Sequence, residues 1–185
     1  MNPDDPPQLC LRGSLLLADP SLRGGSFHHT VLLLTEHRHD EGAHGYVLNR
    51  PFGKNAGHLL HGPEFKALAK VPVFVGGPVS QEQLTFAAFS WQTGPGVLSW
   101  ATHLTREDAI RRCETGEQVR AFVGYSGWSG GQLENEIKHR SWIVSRPSEA
   151  ILTRENGEAL WGEILTSMGP WYELLSKMPD DPGLN

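Results

Sequence analysis

The chain has few cysteines, no surplus of positive charge and no long hydrophobic run. Its two cysteines, Cys10 and Cys113, are too few for a disulfide framework or a cysteine-rich zinc site. The formal net charge is -5, so the chain lacks the excess of Lys and Arg with which general nucleic-acid binders displace phosphate counterions. No apolar segment approaches the roughly 20 residues that a membrane-spanning helix needs. We therefore expect neither direct nucleic-acid binding nor membrane insertion.

The two ends of the chain are expected to lie outside the folded part. Residues 1–7 are acidic and proline-rich, without the positive start and apolar core of a secretion signal. We predict a mobile tail over residues 1–8, a single domain over residues 9–179 and a short tail over residues 180–185. We also expect a cytoplasmic location.

Glycine and proline are abundant, with 21 and 13 residues, and they indicate many turns and a sheet-rich fold. Short apolar runs between these residues predict strands. Pro72 places its strand at a sheet edge or makes Pro72 the first strand residue, because proline cannot donate a ladder hydrogen bond. The predicted strands are Leu9–Ala18, Phe27–Thr35, Gly45–Leu48, Val71–Val75, Leu84–Phe89, Val97–Ala101, Val119–Tyr125, Ser141–Ser145 and Ala150–Thr153.

Helices are predicted mainly in the second half. Thr105 is a suitable N-cap for a helix that ends at Gly116, and a short helix is expected within residues 52–70. Leu160–Met168 carries a broad apolar stripe, and a second C-terminal helix follows with Pro170 at its first position. Strands, then a helix, more strands and a C-terminal helical pair indicate an α+β fold instead of a βαβ array.

The densest motif runs from Gly124 to Ile137 and consists of a strand, a glycine-rich turn and the start of a helix. Within the motif, Ser129 and Gln132 have the spacing of a capping box. Gly127–Gly131 also fits the Gly-x-Ser-x-Gly pattern of a hydrolase nucleophile, which would be Ser129. Ser126 and Gly127 intervene after the predicted strand, and only one histidine, His139, lies downstream, and both facts argue against that role.

The chain resembles the YqgE/AlgH family of bacterial proteins, whose hallmark is this glycine-rich motif. A second match follows the pattern Glu-His, Gly-Ala-x-Gly and Asn-Arg-Pro, and a third is Gly76–Val79. The resemblance implies a mixed, split sheet curled into a pseudo-barrel with helices packed outside. It implies no specific reaction, although some members are described as candidate transcriptional regulators. The second match comprises Glu36, His37, Gly42, Ala43, Gly45, Asn49, Arg50 and Pro51.

Two kinds of ion site are weighed and not favoured. Gly76–Gly77 and Gly130–Gly131 have backbone N–H groups that could bind an anion, but Glu134 and Glu136 lie close to the second pair. Seven histidines fall in the first third of the chain, and an extended strand would point His37 and His39 the same way. Their spacing matches no metal motif, so we predict no metal and no cofactor.

We expect a non-enzymatic protein that binds an unknown small ligand or protein partner, as a monomer or homodimer. The first alternative is a hydrolase that uses His37 with Glu36 or Ser129. The second is a transcriptional regulator acting through DNA, against which the balanced charges of the helix at Thr105–Gly116 argue. For Trp128, packing beneath its own turn is favoured over lining a pocket. The predicted binding residues are Glu36, His37, Asn49, Arg50, Gly76, Gly77, Tyr125, Trp128 and Gln132.

Overall fold

The computed structural model describes residues 10–22, 25–152, 157 and 159–178, so both predicted tails fall outside the described residues. The described residues form nine strands, four α-helices and three short 3₁₀ helices. The strands are β1 (Leu15–Ala18), β2 (Val31–Arg38), β3 (Gly42–Val47), β4 (Pro51–Asn55), β5 (Pro72–Val75), β6 (Val79–Gln92), β7 (Val97–Leu104), β8 (Gln118–Trp128) and β9 (Trp142–Ser145). The α-helices are α1 (Arg106–Glu114), α2 (Gln132–Lys138), α3 (Leu160–Ser167) and α4 (Pro170–Ser176).

Strand β8 joins two halves of one mixed sheet that curls into a half-barrel. The sheet order is β4-β5-β8-β3-β2-β1-β9, and β6 pairs with both β8 and β7. The first half of β8 pairs with β5 and β6, whereas Ser126–Trp128 pairs with β3. The change of partner occurs at Gly124, whose φ is +68° and whose added Cβ would lie 2.6 Å from the Gly77 oxygen. The pair β5–β8 is parallel, so the sheet is mixed and split, as the family resemblance implies.

The core has an inner cluster and two outer clusters. Leu33, Tyr46 and Phe122 belong to the inner cluster, which α3 covers, and Trp161 Nε1 donates to the Ala18 oxygen at 2.9 Å. Helix α2 covers the outer face of the β1–β3 half, and α1 covers the outer face of the β5–β6–β8 half. The mouth of the half-barrel is therefore left between the β2–β3 hairpin and β7.

A β-bulge at Thr35 changes which side chains of β2 face inward. Leu34 is paired with Gly45, but Glu36 is paired with His44, so Thr35 is an extra residue in the ladder. His44 lies two residues before Tyr46, which belongs to the inner cluster, and therefore shares its face. Glu36 consequently faces the mouth, while His37 faces outward towards α2.

Several predicted elements differ from the observed ones. Residues 149–152 form a 3₁₀ helix where Ala150–Thr153 is a predicted strand, and Thr153 lies outside the described residues. Ile151 and Leu152 are buried, and so short an apolar run does not distinguish strand from helix. Strand β8 extends through Trp128, and β4 is an additional strand. Pro72 is the first residue of β5, which has partners on both sides.

The helical predictions at Thr105 and Pro170 are confirmed. The Thr105 side chain accepts a hydrogen bond from the Asp108 N–H at 3.1 Å, and Pro170 begins α4. On α4, Trp171 and Leu174 are 65% and 60% exposed. Among the described residues, no helix has the length and apolar character required to cross a bilayer.

Candidate functional site

The signature motif places two tryptophans around one carboxylate of α2. The indole N–H groups of Trp128 and Trp142 donate to the same oxygen of Glu136, at 2.9 and 2.8 Å. The other oxygen of Glu136 accepts from Gln132 Nε2 at 3.0 Å. Trp128 is only 7% exposed, so its indole holds the start of α2 against the sheet. This geometry agrees with the packing interpretation of Trp128.

The predicted capping box at Ser129 is wrong. The N-cap of α2 is Gly131, at φ +73°, without a side-chain cap hydrogen bond. The Ser129 N–H and hydroxyl both donate to Gln132 Oε1 at 3.1 Å, because the left-handed turn at Gly131 delays the helix start. Ser129 does follow β8 directly, which removes one argument against a nucleophile, but its hydroxyl is engaged by an amide oxygen, not by a base.

His37 is a buried connection between three segments of the chain. Its Nδ1 accepts from the Leu11 N–H at 3.1 Å, so the proton of the neutral ring is on Nε2, which donates to Glu134 Oε1 at 2.9 Å. His39 contacts the same Glu134 oxygen at 3.0 Å, which confirms that the two histidines point the same way. Both ring nitrogens of His37 are therefore engaged, and the ring is not an uncommitted base.

The pKa of Glu134 reflects these contacts. Burial acts to raise the pKa, but the hydrogen bonds from its own backbone N–H, from His39 and from His37 outweigh it and hold the pKa below its usual value. Glu134 is therefore a carboxylate near neutral pH, and it fastens the tip of the β2–β3 hairpin to α2.

Glu36 and His37, the predicted acid–base pair, point to opposite faces of β2. The cross-strand neighbour of Glu36 is His44, whereas His37 is paired with Ala43 and bonded to Glu134. The structure thus gives the predicted hydrolase pair no contact, because the side chains of adjacent strand residues alternate.

The mouth of the half-barrel is a cavity of about 760 Å³ between the β2–β3 hairpin and β7. We call this cavity the mouth groove. Residues of β2, β3 and β7 border it together with Arg12, which precedes β1, and Trp128. Its lining residues are Arg12, Thr35, Glu36, His37, Arg38, Glu41, Gly42, Ala43, His44, Trp100, Ala101, Thr102 and Trp128.

His44 presents a neutral imidazole in the mouth groove. The Thr35 hydroxyl donates its single proton to the His44 backbone oxygen at 3.1 Å, so His44 Nδ1 donates to the hydroxyl oxygen at 3.0 Å. The Nε2 lone pair is thereby left as an acceptor. Tyr125 stacks on the ring at a centroid distance of 4.6 Å. Burial and His103 lower the pKa of His44, and Glu36 opposes them, so the ring is uncharged at neutral pH.

Arg12 holds a fixed position at one end of the mouth groove. Its Nε donates to the Thr35 oxygen at 3.0 Å, and its guanidinium lies 5.0 Å from the centroid of the Trp100 ring. Within the described part of the chain, its Nη groups and the Glu36 carboxylate form no ion pair. A guanidinium held this way is a suitable donor to a carboxylate.

The glycine pairs serve backbone packing. The N–H of Gly76 donates to Val123 and that of Gly131 donates to His39, at 2.9 and 3.0 Å. A Cβ on Gly76 would lie 2.3 Å from the Gly124 oxygen. These N–H groups are therefore unavailable to the anion considered above.

Asn49 and Arg50 lie at the other end of β3, roughly 15–20 Å from His44 at the strand rise of about 3.3 Å per residue. The Asn49 side chain accepts from the Val31 N–H and donates to the His29 oxygen, and Arg50 donates to the His28 oxygen. The predicted site residues thus separate into groups: Glu36 borders the mouth groove with Tyr125 beside it, His37, Trp128 and Gln132 belong to the α2 contacts, and Asn49 and Arg50 lie apart.

The sequence-based prediction missed the mouth residues Arg12, His44 and Trp100. The alternation of His44 with Tyr46 on one strand face was the available indication, since Tyr46 is a core residue. Arg12 gave no such indication, because its partners come from distant strands.

Two further observations concern a possible metal site and the DNA-binding alternative. The described residues contain no group of three or more potential metal ligands. The three arginines of α1 are each paired with a carboxylate, in the pairs Arg106–Glu107, Arg111–Asp108 and Arg112–Glu117.

Comparisons with known proteins agree over nearly the whole domain. Residues 15–173 match the family model described as AlgH-like. A UPF0301 protein of Bacteroides fragilis is 32% identical over 182 residues, covering 94% of this chain and 91% of the relative. A UPF0301 protein of Parabacteroides distasonis is 33% identical over 186 residues, covering 96% and 92%.

Two solved structures have the same fold. The solution structure of the AlgH protein from Pseudomonas aeruginosa aligns with a TM-score of 0.66 and 26% identity, over 97% of this chain and 98% of that one. The crystal structure of a protein from Corynebacterium diphtheriae aligns with a TM-score of 0.70 and 21% identity, over 96% and 95%.

Proposed function

The chain belongs to the AlgH-like family, and we propose that this member is a non-enzymatic, cytoplasmic binding protein whose ligand or partner occupies the mouth groove. The observation that supports this proposal is the set of uncommitted polar groups around one cavity. Arg12 supplies donors, and Glu36 and His44 Nε2 supply acceptors, beside the aromatic ring of Trp100, while Tyr125 stacks on the His44 ring. A concave site with a few convergent polar groups and aromatic walls is typical of ligand binding.

The glycine-rich signature motif has a supporting role in this proposal. Trp128, Gln132 and His37 fix α2 to the hairpin that forms one wall of the mouth groove. We therefore assign binding to the inner face of the hairpin and structural support to its outer face. In this proposal, a regulatory role would be exerted through the ligand or partner that binds in the mouth groove.

The test is a thermal-shift screen against nucleotides, phosphorylated metabolites, carboxylic acids, short peptides and duplex DNA. A ligand at 100 times its Kd adds about 2.7 kcal/mol to the unfolding free energy, which gives a clear rise in Tm. We expect a hit that is lost in Arg12→Gln and Glu36→Gln. Arg146→Gln and Glu114→Gln, at exposed positions outside the mouth groove, are the matched controls. Hits that survive both mouth variants would contradict the proposal.

A hydrolase centred on His44 is the second candidate, and the free Nε2 next to Glu36 favours it. A general base must lie within hydrogen-bond reach of the proton it abstracts, and His44 satisfies the requirement of being uncommitted. Turnover of a panel of p-nitrophenyl esters and phosphates by the wild type, abolished in a folded His44→Asn variant, would support this candidate. Equal rates in both proteins would dismiss it.

A further inference from the structure

The edge of β7 that faces away from β6 has no strand partner among the described residues. β7 contains eight residues and pairs with β6 alone. The mouth groove is bordered by the consecutive residues Trp100, Ala101 and Thr102. Successive side chains of a strand point to opposite faces of the sheet. A cavity that is lined by three consecutive residues therefore lies along the backbone edge of the strand. The mouth groove therefore opens onto unpaired N–H and C=O groups.

The other two edge strands of the described sheet carry devices that prevent unwanted strand pairing along their length, whereas the device in β7 is a bulge near its end, between Ala101 and Leu104. β4 begins with Pro51 and contains Lys54, with an irregular register between its ends. β9 has only four residues and is followed by Arg146 and Pro147. By contrast, Val97–Thr102 contains no proline and no charged residue. An exposed edge without such protection is suited to receive another strand.

The length of the available edge is set by a bulge. The ladder between β6 and β7 shifts register between Ala101 and Leu104, and His103 has a φ of +53°. The regular edge is therefore Val97–Ala101, long enough for an extended segment of about five residues.

The opposite wall determines what kind of strand fits. It is formed by the β2–β3 hairpin. The side chain of Arg12 spans the gap by contacting both the Thr35 oxygen and the Trp100 ring, and at the bulged end of β7 the rings of His44 and His103 lie 5.6 Å apart. A strand from a second copy of the chain would carry the rest of its own sheet with it, and that sheet would collide with the β2–β3 hairpin. A single extended segment has no sheet attached to its other edge.

We propose that the occupant of the mouth groove is an extended polypeptide segment that pairs with β7 and continues the sheet. This inference rests on the proposed function of the mouth groove and names the class of partner. Main-chain hydrogen bonds to β7 supply affinity, and Trp100 and Thr102, which face the groove, contact alternate side chains of the segment. The free Nη groups of Arg12 favour a segment that carries a carboxylate where it passes this residue.

The experiment begins with selection of a phage-displayed random heptapeptide library on the full chain. A selected peptide is synthesised and its Kd is measured by calorimetry. Amide hydrogen exchange by NMR then locates the contact. We expect slower exchange, by tenfold or more, for those amides of Val97–Ala101 that point away from β6, and a Kd that rises at least tenfold in Arg12→Gln but not in Arg146→Gln.

Backbone N-methylation of the peptide makes the test independent of protein variants. In a strand that pairs on one side, alternate N–H groups are used, so methylation should weaken binding at every second position by tenfold or more. Sensitivity without this alternation, protection at β4 or β9 instead of β7, or no selected peptide would each overturn the inference. A small molecule that binds the mouth groove without protecting β7 would sustain the proposed function and still overturn the inference.

Discussion

Glu136 concentrates several contacts of the motif in one carboxylate. It accepts both indole N–H groups, from Trp128 and Trp142, and the Gln132 amide. We predict that Glu136→Leu destabilises the protein by about 2–4 kcal/mol, because two partly buried indole donors lose their acceptor. Glu136→Gln should cost less, since it keeps one acceptor oxygen. Urea unfolding followed by tryptophan fluorescence measures both, and Glu114→Leu, at an exposed helix end, should change stability by less than about 0.5 kcal/mol.

The buried environment of His44 predicts a pH dependence with a defined sign. Because its pKa is lowered in the folded state, the unfolded chain binds more protons below pH about 6.5. Stability is therefore complete above that pH and decreases as the pH falls from about 6.5 towards the lowered folded-state pKa. We expect His44→Asn to lose part of this decrease in urea unfolding between pH about 7 and 5. His61→Asn, at an exposed site, is the control, and identical slopes in both variants would contradict the prediction.

At the scale of residues, the sequence predicted several local contacts correctly, and the capping box at Ser129 is the exception. The Thr105 cap and the common direction of His37 and His39 are confirmed, because each depends only on neighbours within a helix turn or a strand. The face of Glu36 was not predictable, since it is set by the bulge at Thr35. The position of Arg12 depends on its contact with the Trp100 ring, and the sequence around these two residues does not predict that contact.

At the scale of elements, two glycines give opposite predictions for the same substitution. Gly76→Ala should destabilise the protein by several kcal/mol, because a Cβ would lie 2.3 Å from the Gly124 backbone oxygen and β5 would have to move. Gly162→Ala in α3 should stabilise it by about 0.5–1 kcal/mol, because none of the described residues places an atom within 4 Å of the added Cβ and alanine is the better helix former. Chemical denaturation of both variants provides the measurement. Equal effects would show that close backbone approach is not the reason for the glycine that follows β5.

The helices were easier to predict from the sequence than the strands. The apolar stripes of α3 and the cap of α1 are visible in the sequence because helical periodicity extends over many residues. The predicted strand ended at Tyr125 and Ser126–Trp128 was interpreted as part of a turn, whereas these three residues, with Gly127, belong to β8. Gly124 admits the backbone of the neighbouring strand, because an added Cβ would lie 2.7 Å from the Val79 oxygen, and composition alone does not distinguish this use of glycine from a turn.

At the scale of the whole molecule, the position of β8 predicts cooperative unfolding. Its first half belongs to the β4–β7 part of the sheet and its last three residues belong to the part with β1–β3. Neither part is complete without β8, so we expect one urea transition with coincident far-UV circular dichroism and tryptophan fluorescence curves. The amides of residues 118–123 should exchange most slowly. Two separated transitions would show that the halves are stable independently.

The association state of the molecule stays a prediction. Trp171 and Leu174 on α4, and Met178 just after this helix, leave apolar surface exposed, and the predicted state is a monomer or a homodimer. Analytical ultracentrifugation of the wild type and a Trp171→Ser variant would distinguish them.

The hydrogen bond from Trp161 to the Ala18 oxygen has a consequence for folding during synthesis on the ribosome. The two residues are 143 positions apart in the sequence. Residues of β1 and β2 are the first part of the inner cluster to be synthesised, and α3, which packs over that cluster, is synthesised much later. At about 5–20 residues per second, the ribosome needs roughly 7–30 s to add the intervening chain. During that interval the emerging strands have an uncovered apolar face. We therefore expect nascent chains of this protein to be clients of ribosome-associated chaperones until α3 has emerged.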